Sequence, residues 1–342
     1  MPSCVTQAVV AALALCTAAD ALAQLTPRFV YNGVDRPIPF DVEAPQSNTD
    51  ELTVRLFDAL GAEPIDEASV IEGGVDMIGL FPRLRDAEAA RTLWAQLYAG
   101  EQAIGAPIVL QPMLTQDRAV RSLPNGTVLF ESDVREQRRQ ASGDNTPDPA
   151  PVLSGYIAWE DALVVLETSE GPITIRLRPD QAPSTTRHFR DLVEGGFYRD
   201  IIFHRVVNEL SNGERFVVQV GDPTGTGRGG PGSTVDLEPS KLEHDYGVVS
   251  MARSGALDSG GSQFFICLGR EGTKSLDGAY TAFGEVIDGR DALEAIALTP
   301  VGRGERPLAP PVLKSARTVP APPRDGTPPA RISAPPKDRI ER

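Results

Sequence analysis

Cysteine is scarce in this chain, with three in 342 residues, and Cys267 is the only one beyond residue 23. A lone thiol closes no internal disulfide, so no disulfide framework is expected to hold the fold. Histidine is equally rare. His188, His204 and His244 are scattered without a ligand spacing such as H-x-x-x-H, which argues against a metal site. A Cys267–His204 nucleophilic pair competes poorly with a buried, inert thiol in FFIC. Positive charge is in deficit: 33 Lys and Arg face 47 Asp and Glu, a formal net charge of −14. That balance excludes an ordinary nucleic-acid binder and weakens docking on anionic lipid. Beyond the N-terminus no apolar run is long enough to span a bilayer.

The N-terminus is the one strongly apolar stretch. Residues 5–19 are rich in Ala, Val and Leu, and Ala21-Leu22-Ala23 has the small-x-small pattern of a cleavage site. A signal peptide over residues 1–23, cleaved after Ala23, is expected, with the mature chain periplasmic or secreted and without a membrane span. One feature departs from the usual pattern: no Lys or Arg precedes the apolar core. Leu15 stands before Cys16 where a lipoprotein signal has a small residue, so a cleaved signal is favoured over a lipid or uncleaved anchor.

Residues 24–115 read as a small β-rich, sandwich-like domain. LTVRL alternates Leu52, Val54 and Leu56 with Thr53 and Arg55. TLWAQLY alternates Leu93, Ala95 and Leu97 with Thr92, Trp94, Gln96 and Tyr98. A helix over 84–91 competes there, because DAEAAR has high helix propensity. The region holds no histidine and no catalytic cluster. Residues 116–155 are expected to be a linker, partly disordered, and include the polar, proline-bearing REQRRQASGDNTPDPAP. Residues 320–342 are expected to be a disordered Pro-rich tail, because their composition offers little apolar surface to bury.

Between them, residues 156–319 read as a compact domain. LVVLE and ITIRLR form a hairpin. PSTTRHFRDLVEGG is a helix with Pro183 in its first turn and Gly195 at its end. Strands follow at IIFHRVV, FVVQV, GVVSMA, QFFICL and TAFGEV, and a second helix at GRDALEAIA. Many short strands with two helices suggest a closed β-barrel with helices over its ends.

Within this domain GDPTGTGRGGPG contains G-x-G-x-x-G at Gly225, Gly227 and Gly230, directly after the strand FVVQV. A dinucleotide cradle needs a helix immediately afterwards, to set its N-terminus against the pyrophosphate. Pro231, Gly232, Ser233 and Thr234 follow instead, with no helical run. The glycines therefore serve another purpose.

FYRDIIFHRVV, FVVQVGDPTGTGRGGPG, GVVSMARSG, GGSQFFICL and LDGAYTAFGEV together resemble the signature segments of cyclophilins, the peptidyl-prolyl cis/trans isomerases, in family order. The resemblance covers the C-terminal half only. It implies an eight-stranded barrel closed by two helices, with a peptide groove on its outer surface and a packed interior. The implied substrate is a proline-containing polypeptide. The implied task is rotation about an X-Pro amide, whose barrier is about 18–20 kcal/mol and which turns over in tens of seconds or longer unaided. No cofactor, nucleophile or metal is implied.

By the same resemblance Arg205 is the arginine that donates to the prolyl nitrogen as the bond twists. Its permanent charge and planar fork of donors suit that role. Gln219 matches the glutamine that orients the arginine and substrate, and Gln263 lies in the groove; either glutamine could instead serve only the sheet. Phe216, Val217, Phe265, Leu276 and Tyr280 fall where the family builds its apolar proline pocket. Strand alternation sends Phe265 one way and Phe264 into the core. Ala252, Arg253 and Ser254 match a segment that binds peptide mainly through its backbone.

The chain departs from the family pattern in several places. Arg253 replaces an asparagine, Tyr280 a histidine, and Ser275 the tryptophan beside the pocket that contacts cyclosporin. NELSNGER, between FHRVV and FVVQ, is longer than the usual turn and sits close in sequence to Arg205 and Phe216. Two other roles are open: a catalytically weak peptide-binding chaperone or scaffold using the same groove, and an N-terminal domain that targets an unknown partner. A proline-isomerisation assay separates the enzyme from the scaffold.

Overall fold

The computed structural model describes residues 24–45, 48–61, 63–86, 90–115, 120–122, 128–130, 152–325 and 330–335. The signal peptide expected at 1–23 and most of the expected linker lie outside them.

The N-terminal half is built from β1 (Gln24–Pro27), β2 (Tyr31–Gly33), β3 (Pro39–Glu43), β4 (Leu52–Phe57), β5 (Asp66–Val70), β6 (Gly73–Asp76), β7 (Leu93–Ala99) and β8 (Gln102–Thr115). A small hairpin, β9 (Val120–Ser122) with β10 (Val128–Phe130), and a long strand, β11 (Val152–Glu160), complete it. The order β1-β3-β6 forms one sheet and β2-β11-β8-β7-β4-β5 another, all antiparallel. Leu25, Phe40 and Val42 of the smaller sheet share one core with Val54, Leu56, Leu97, Leu110 and Tyr156 of the larger. Two sheets burying one face each against the other make a sandwich.

The sequence and the structure differ at three places in this region. Where a helix over 84–91 competed, the chain makes a short 3-10 turn, Pro82–Arg85, and Asp86 is already extended. Val152–Glu160, expected to lie across the linker and the start of the second domain, is a strand between β8 and β2. Its Tyr156 and Ala158 fill the sandwich core, so the N-terminal unit reaches Glu160. The third difference is the tail. Arg324 lies on the outward face of β7, where Trp94 and Tyr98 also pack with Phe57 and Val109, so the strand is buried on both faces instead of alternating. Arg324 places its guanidinium 4.0 Å over Trp94, and its backbone N–H donates to Gln96 Oε1 at 2.8 Å. Tyr98 donates its hydroxyl to the Arg324 carbonyl. Farther on, Ile332 N donates to Val286 O at 2.9 Å, and Arg331 pairs with Asp245. Apolar composition missed this strap because arginine stacking and main-chain hydrogen bonds anchor it.

The second unit contains β12 (Ala162–Thr168), β13 (Gly171–Leu177), helix α1 (Pro183–Glu194), β14 (Arg199–Ile202), β15 (Arg205–Glu209), β16 (Arg215–Val220), β17 (Val248–Met251), β18 (Phe264–Cys267), β19 (Ala282–Asp288), helix α2 (Arg290–Ala297) and β20 (Val312–Pro320). Its strands form one antiparallel sheet in the order β14-β20-β12-β13-β19-β17-β18-β16-β15. The two edge strands are neighbours in the chain, separated only by Phe203 and His204. One bent strand thus joins both edges and closes the sheet into a barrel; counted once, it leaves the expected eight strands. Closure removes the unpaired edges an open sheet would expose.

The barrel interior is packed by Val164, Leu166, Ile175, Val218, Phe264 and Ile266 among others. Helix α1 adds Phe189, whose ring lies 4.9–5.3 Å from those of Tyr198, Phe264 and Phe283. Ala182 at the head of α1 has no capping side chain. Glu238 takes over, accepting from Ser184 N at 2.9 Å and Thr185 N at 2.7 Å. With the interior filled, only the outer surface is left for a ligand.

Candidate functional site

The site lies on the outer face of β15, β16 and β18. Their register sets Arg205 opposite Gln219, and Gln219 opposite Phe265. Directly paired residues of antiparallel strands point to one face, so sheet register alone aligns the three side chains. The neighbouring positions, Val218, Phe264 and Ile266, point inward and belong to the barrel core.

Polar contacts continue along this row. Arg205 Nη1 donates to Gln219 Oε1 at 3.4 Å, Gln219 Nε2 to Gln263 Oε1 at 3.0 Å, and Gln263 Nε2 to the Gly229 carbonyl at 2.9 Å. Each glutamine is used as both donor and acceptor, which fixes the orientation of its amide. The Arg205 guanidinium also lies 5.9 Å from the Phe216 ring.

A cavity of about 220 Å³ opens beside this row. Arg205, Phe216, Val217, Gln219, Ala252, Arg253, Phe265, Leu276 and Tyr280 line it. A larger recess of about 590 Å³ adjoins it, sharing Gln219, Ala252 and Arg253, and adding Ser254, Gln263 and the glycine-rich segment. The residues singled out in the sequence are therefore brought together, divided between two adjoining hollows. Ser275 is exposed on the turn Lys274–Leu276. The long β15–β16 turn lines neither hollow; Arg215 at its end pairs instead with Glu294 of α2 at 2.9 Å.

Phe265 is held from two sides. Tyr280 meets it edge-on at 5.6 Å, and His244 stacks on it at 6.0 Å with the planes 22° apart. His244 is buried, with Nδ1 at 3.0 Å from Asp277 and Nε2 at 2.9 Å from Ser250 Oγ. Burial pulls its imidazole below the ordinary value despite Asp277, so the ring is a neutral shelf. Arg253 lies 4.9 Å over Tyr280 and donates through Nε to the Ala279 carbonyl at 2.9 Å.

The glycine-rich segment is organised around a carboxylate of the chain itself. Asp222, without exposed surface, accepts from Thr224 N at 2.7 Å, Thr224 Oγ1 at 2.8 Å, Arg228 N at 2.9 Å and also Gly227 N. A Cβ on Gly229 would fall 2.1 Å from Asp222 Oδ1, and Gly227 has φ of +82°. Both positions need glycine because the backbone wraps an internal anion. No helix follows before β17.

Sequence reasoning missed His244 and Glu305 as parts of this site. Glu305 Oε2 accepts from Arg205 Nε at 2.6 Å. Neither residue belongs to a local motif; each meets its partner only through the tertiary fold. Among the described residues no group of three or more His, Cys, Asp or Glu is placed to hold a metal, and burial pushes the Cys267 thiol far above its ordinary value.

Residues 163–318 match the family model described as cyclophilin type peptidyl-prolyl cis-trans isomerase. A peptidyl-prolyl cis-trans isomerase of Arabidopsis thaliana is 41% identical over 150 residues, 42% of this chain and 86% of that protein. A putative peptidyl-prolyl cis-trans isomerase of Staphylococcus saprophyticus is 36% identical over 188 residues, 46% of this chain and 92% of that one. A cyclophilin type isomerase of Cryptosporidium parvum, solved in the presence of the dipeptide Ala-Pro, superposes with a TM-score of 0.42 at 31% identity, covering 46% of this chain and 98% of that one. With nearly the full length of such relatives contained in its C-terminal half, the chain belongs to the cyclophilin-type peptidyl-prolyl cis-trans isomerases.

Proposed function

We propose that this isomerase accelerates X-Pro rotation in exported polypeptides, with Arg205 as the group that stabilises the twisted amide. The observation that carries the reading is the cross-strand row Arg205–Gln219–Phe265, which sets a guanidinium edge beside an apolar hollow of about 220 Å³.

The amide resists rotation by about 18–20 kcal/mol because the nitrogen lone pair is delocalised into the carbonyl. As the bond twists, that pair localises on nitrogen and becomes an acceptor. A donor already in place stabilises the twisted state more than either planar one, which lowers the barrier. Phe265, Leu276 and Tyr280 hold the proline ring by apolar contact. Gln219 orients Arg205, Gln263 orients Gln219, and the Ala252–Ser254 segment receives the peptide backbone. No covalent bond is made or broken and no proton is transferred.

A proline-isomerisation assay on a short X-Pro peptide tests the reading. Arg205→Ala should reduce kcat/KM by about 10²–10³, the scale of losing one preorganised donor, while peptide binding persists. Equal, uncatalysed rates for wild type and variant with binding intact would establish a peptide-binding scaffold instead. The export half of the proposal rests on residues 1–23. Fractionation with N-terminal sequencing should find a mature chain beginning at Gln24 outside the cytoplasm.

A further inference from the structure

Arg205 meets a carboxylate lying 100 positions farther along the chain, in a segment that none of the signature motifs covers. Glu305 Oε2 accepts from its Nε at 2.6 Å, while Gln219 Oε1 accepts from its Nη1 at 3.4 Å. Among the described residues none accepts from Nη2. The guanidinium is therefore held at two points, tightly at Nε by Glu305 and loosely at Nη1 by Gln219.

Glu305 reaches this position on an anchored hairpin. Val301 bridges Pro307, Gly302 N donates to Arg306 O at 2.8 Å, and Leu308 N donates to Pro300 O at 2.9 Å. Arg306 Nη1 donates to the Gly225 carbonyl at 2.6 Å, which ties the hairpin to the glycine-rich segment. Gly304 has φ of 71° and Glu305 φ of 63°. The left-handed region is unfavourable for a residue with a Cβ and persists where the surroundings over-determine it.

Stability alone does not account for the arrangement. The Arg205 and Glu305 side chains are 35% and 46% exposed, and ion pairs so open to water add little to folding. Orientation is a different matter. An arginine side chain has many rotamers, and a single acceptor at 3.4 Å leaves its fork free to swing. A second acceptor on the opposite edge confines a planar group to one direction.

The geometry points to Glu305 as a positioning residue for the isomerase: it holds the Nε edge of Arg205 so that the Nη edge faces the proline hollow. This inference rests on the role proposed for Arg205. An inhibitory lock would instead occupy the Nη edge, which Glu305 leaves free.

The test is steady-state isomerisation by the full chain, with peptide-binding titrations and thermal midpoints for each variant. Glu305→Ala should lower kcat by about 5- to 20-fold, less than loss of a donor but in keeping with a misplaced one, with KM changed less than about twofold. Glu305→Gln, whose amide oxygen can accept from Nε, should recover to within about threefold of wild type. In an Arg205→Ala background, Glu305→Ala should have no further effect, because the two act as one unit. Wild-type or raised kcat in Glu305→Ala, or the same loss in both backgrounds, overturns the positioning role. Should Arg205→Ala itself turn over at the wild-type rate, the arginine mechanism fails first. A slow Arg205→Ala beside a wild-type Glu305→Ala removes only the role of Glu305.

Discussion

Trp94 donates its indole N–H to Asp161 Oδ2 at 2.8 Å, joining the sandwich to the first residue beyond it. Asp161 Oδ1 accepts from Ala162 N at 2.9 Å. Asp161 as a residue is only partly buried, but its carboxyl group is the enclosed end, near Arg324. Burial raises that carboxyl to about 6, with Arg324 and the Trp94 hydrogen bond opposing the shift. Between the ordinary value of 3.8 and about 6, the native state keeps a proton that the unfolded chain has released. Stability from this group is therefore present at low pH and falls as pH rises through that window. Denaturant titrations at pH 4.5 and pH 7 should show wild type losing on the order of 1–2 kcal/mol relative to Asp161→Asn. Parallel pH profiles for the two proteins would refute the assignment.

The strap over β7 predicts an effect of the C-terminal segment on the N-terminal domain. Arg324 stacks on Trp94 at 4.0 Å and donates through Nη1 to the Asp58 carbonyl at 2.9 Å. Arg324→Ala should cost about 1–3 kcal/mol, combining a desolvated cation–π contact with a lost charged hydrogen bond. Deleting residues 321–342 should also expose β7 amides to hydrogen exchange. Isomerase turnover should be unchanged, since among the described residues of this segment none lines either hollow.

Asp222 predicts the integrity of the larger recess. Hydrogen bonds from Thr224 and the Gly227 and Gly229 backbone hold its carboxyl far below the usual range, although burial opposes them. Its contribution is therefore fully present above the ordinary carboxylate range and is lost progressively as pH falls below that range toward the depressed folded value. Asp222→Ala leaves several backbone N–H groups without an acceptor and should destabilise by about 3–5 kcal/mol. Asp222→Asn, which keeps one acceptor oxygen, should fall between. A melting temperature for Asp222→Ala equal to wild type would contradict this account.

Ser275 predicts weak cyclosporin binding. It is exposed beside Leu276 and has little surface to cover a bulky ligand. Wild type should escape nanomolar inhibition, and Ser275→Trp should tighten binding by tenfold or more, about 1.4 kcal/mol, within reach of one added aromatic. Competition titrations with both proteins provide the comparison.

Much of the second domain was legible in the sequence because its information is local. Gln263, Phe264 and Phe265 alternate along one strand, so two-residue periodicity sent Phe264 inward and Phe265 outward before any contact was known. Pro183 and Gly195 marked the two ends of α1. The missing helix after GDPTGTGRGGPG was enough to reject a phosphate cradle. Arg205, Gln219 and Phe265 could be named from their motifs alone.

What the tertiary structure decided are contacts between residues whose separation leaves no local trace. His244 under Phe265, Glu305 against Arg205 and Arg324 over Trp94 each join distant segments. Composition judged the tail by its apolar content, whereas an arginine, a tryptophan and main-chain hydrogen bonds hold it. Periodicity can say which way a side chain points; only the closed barrel and the packed sandwich decide what it meets there.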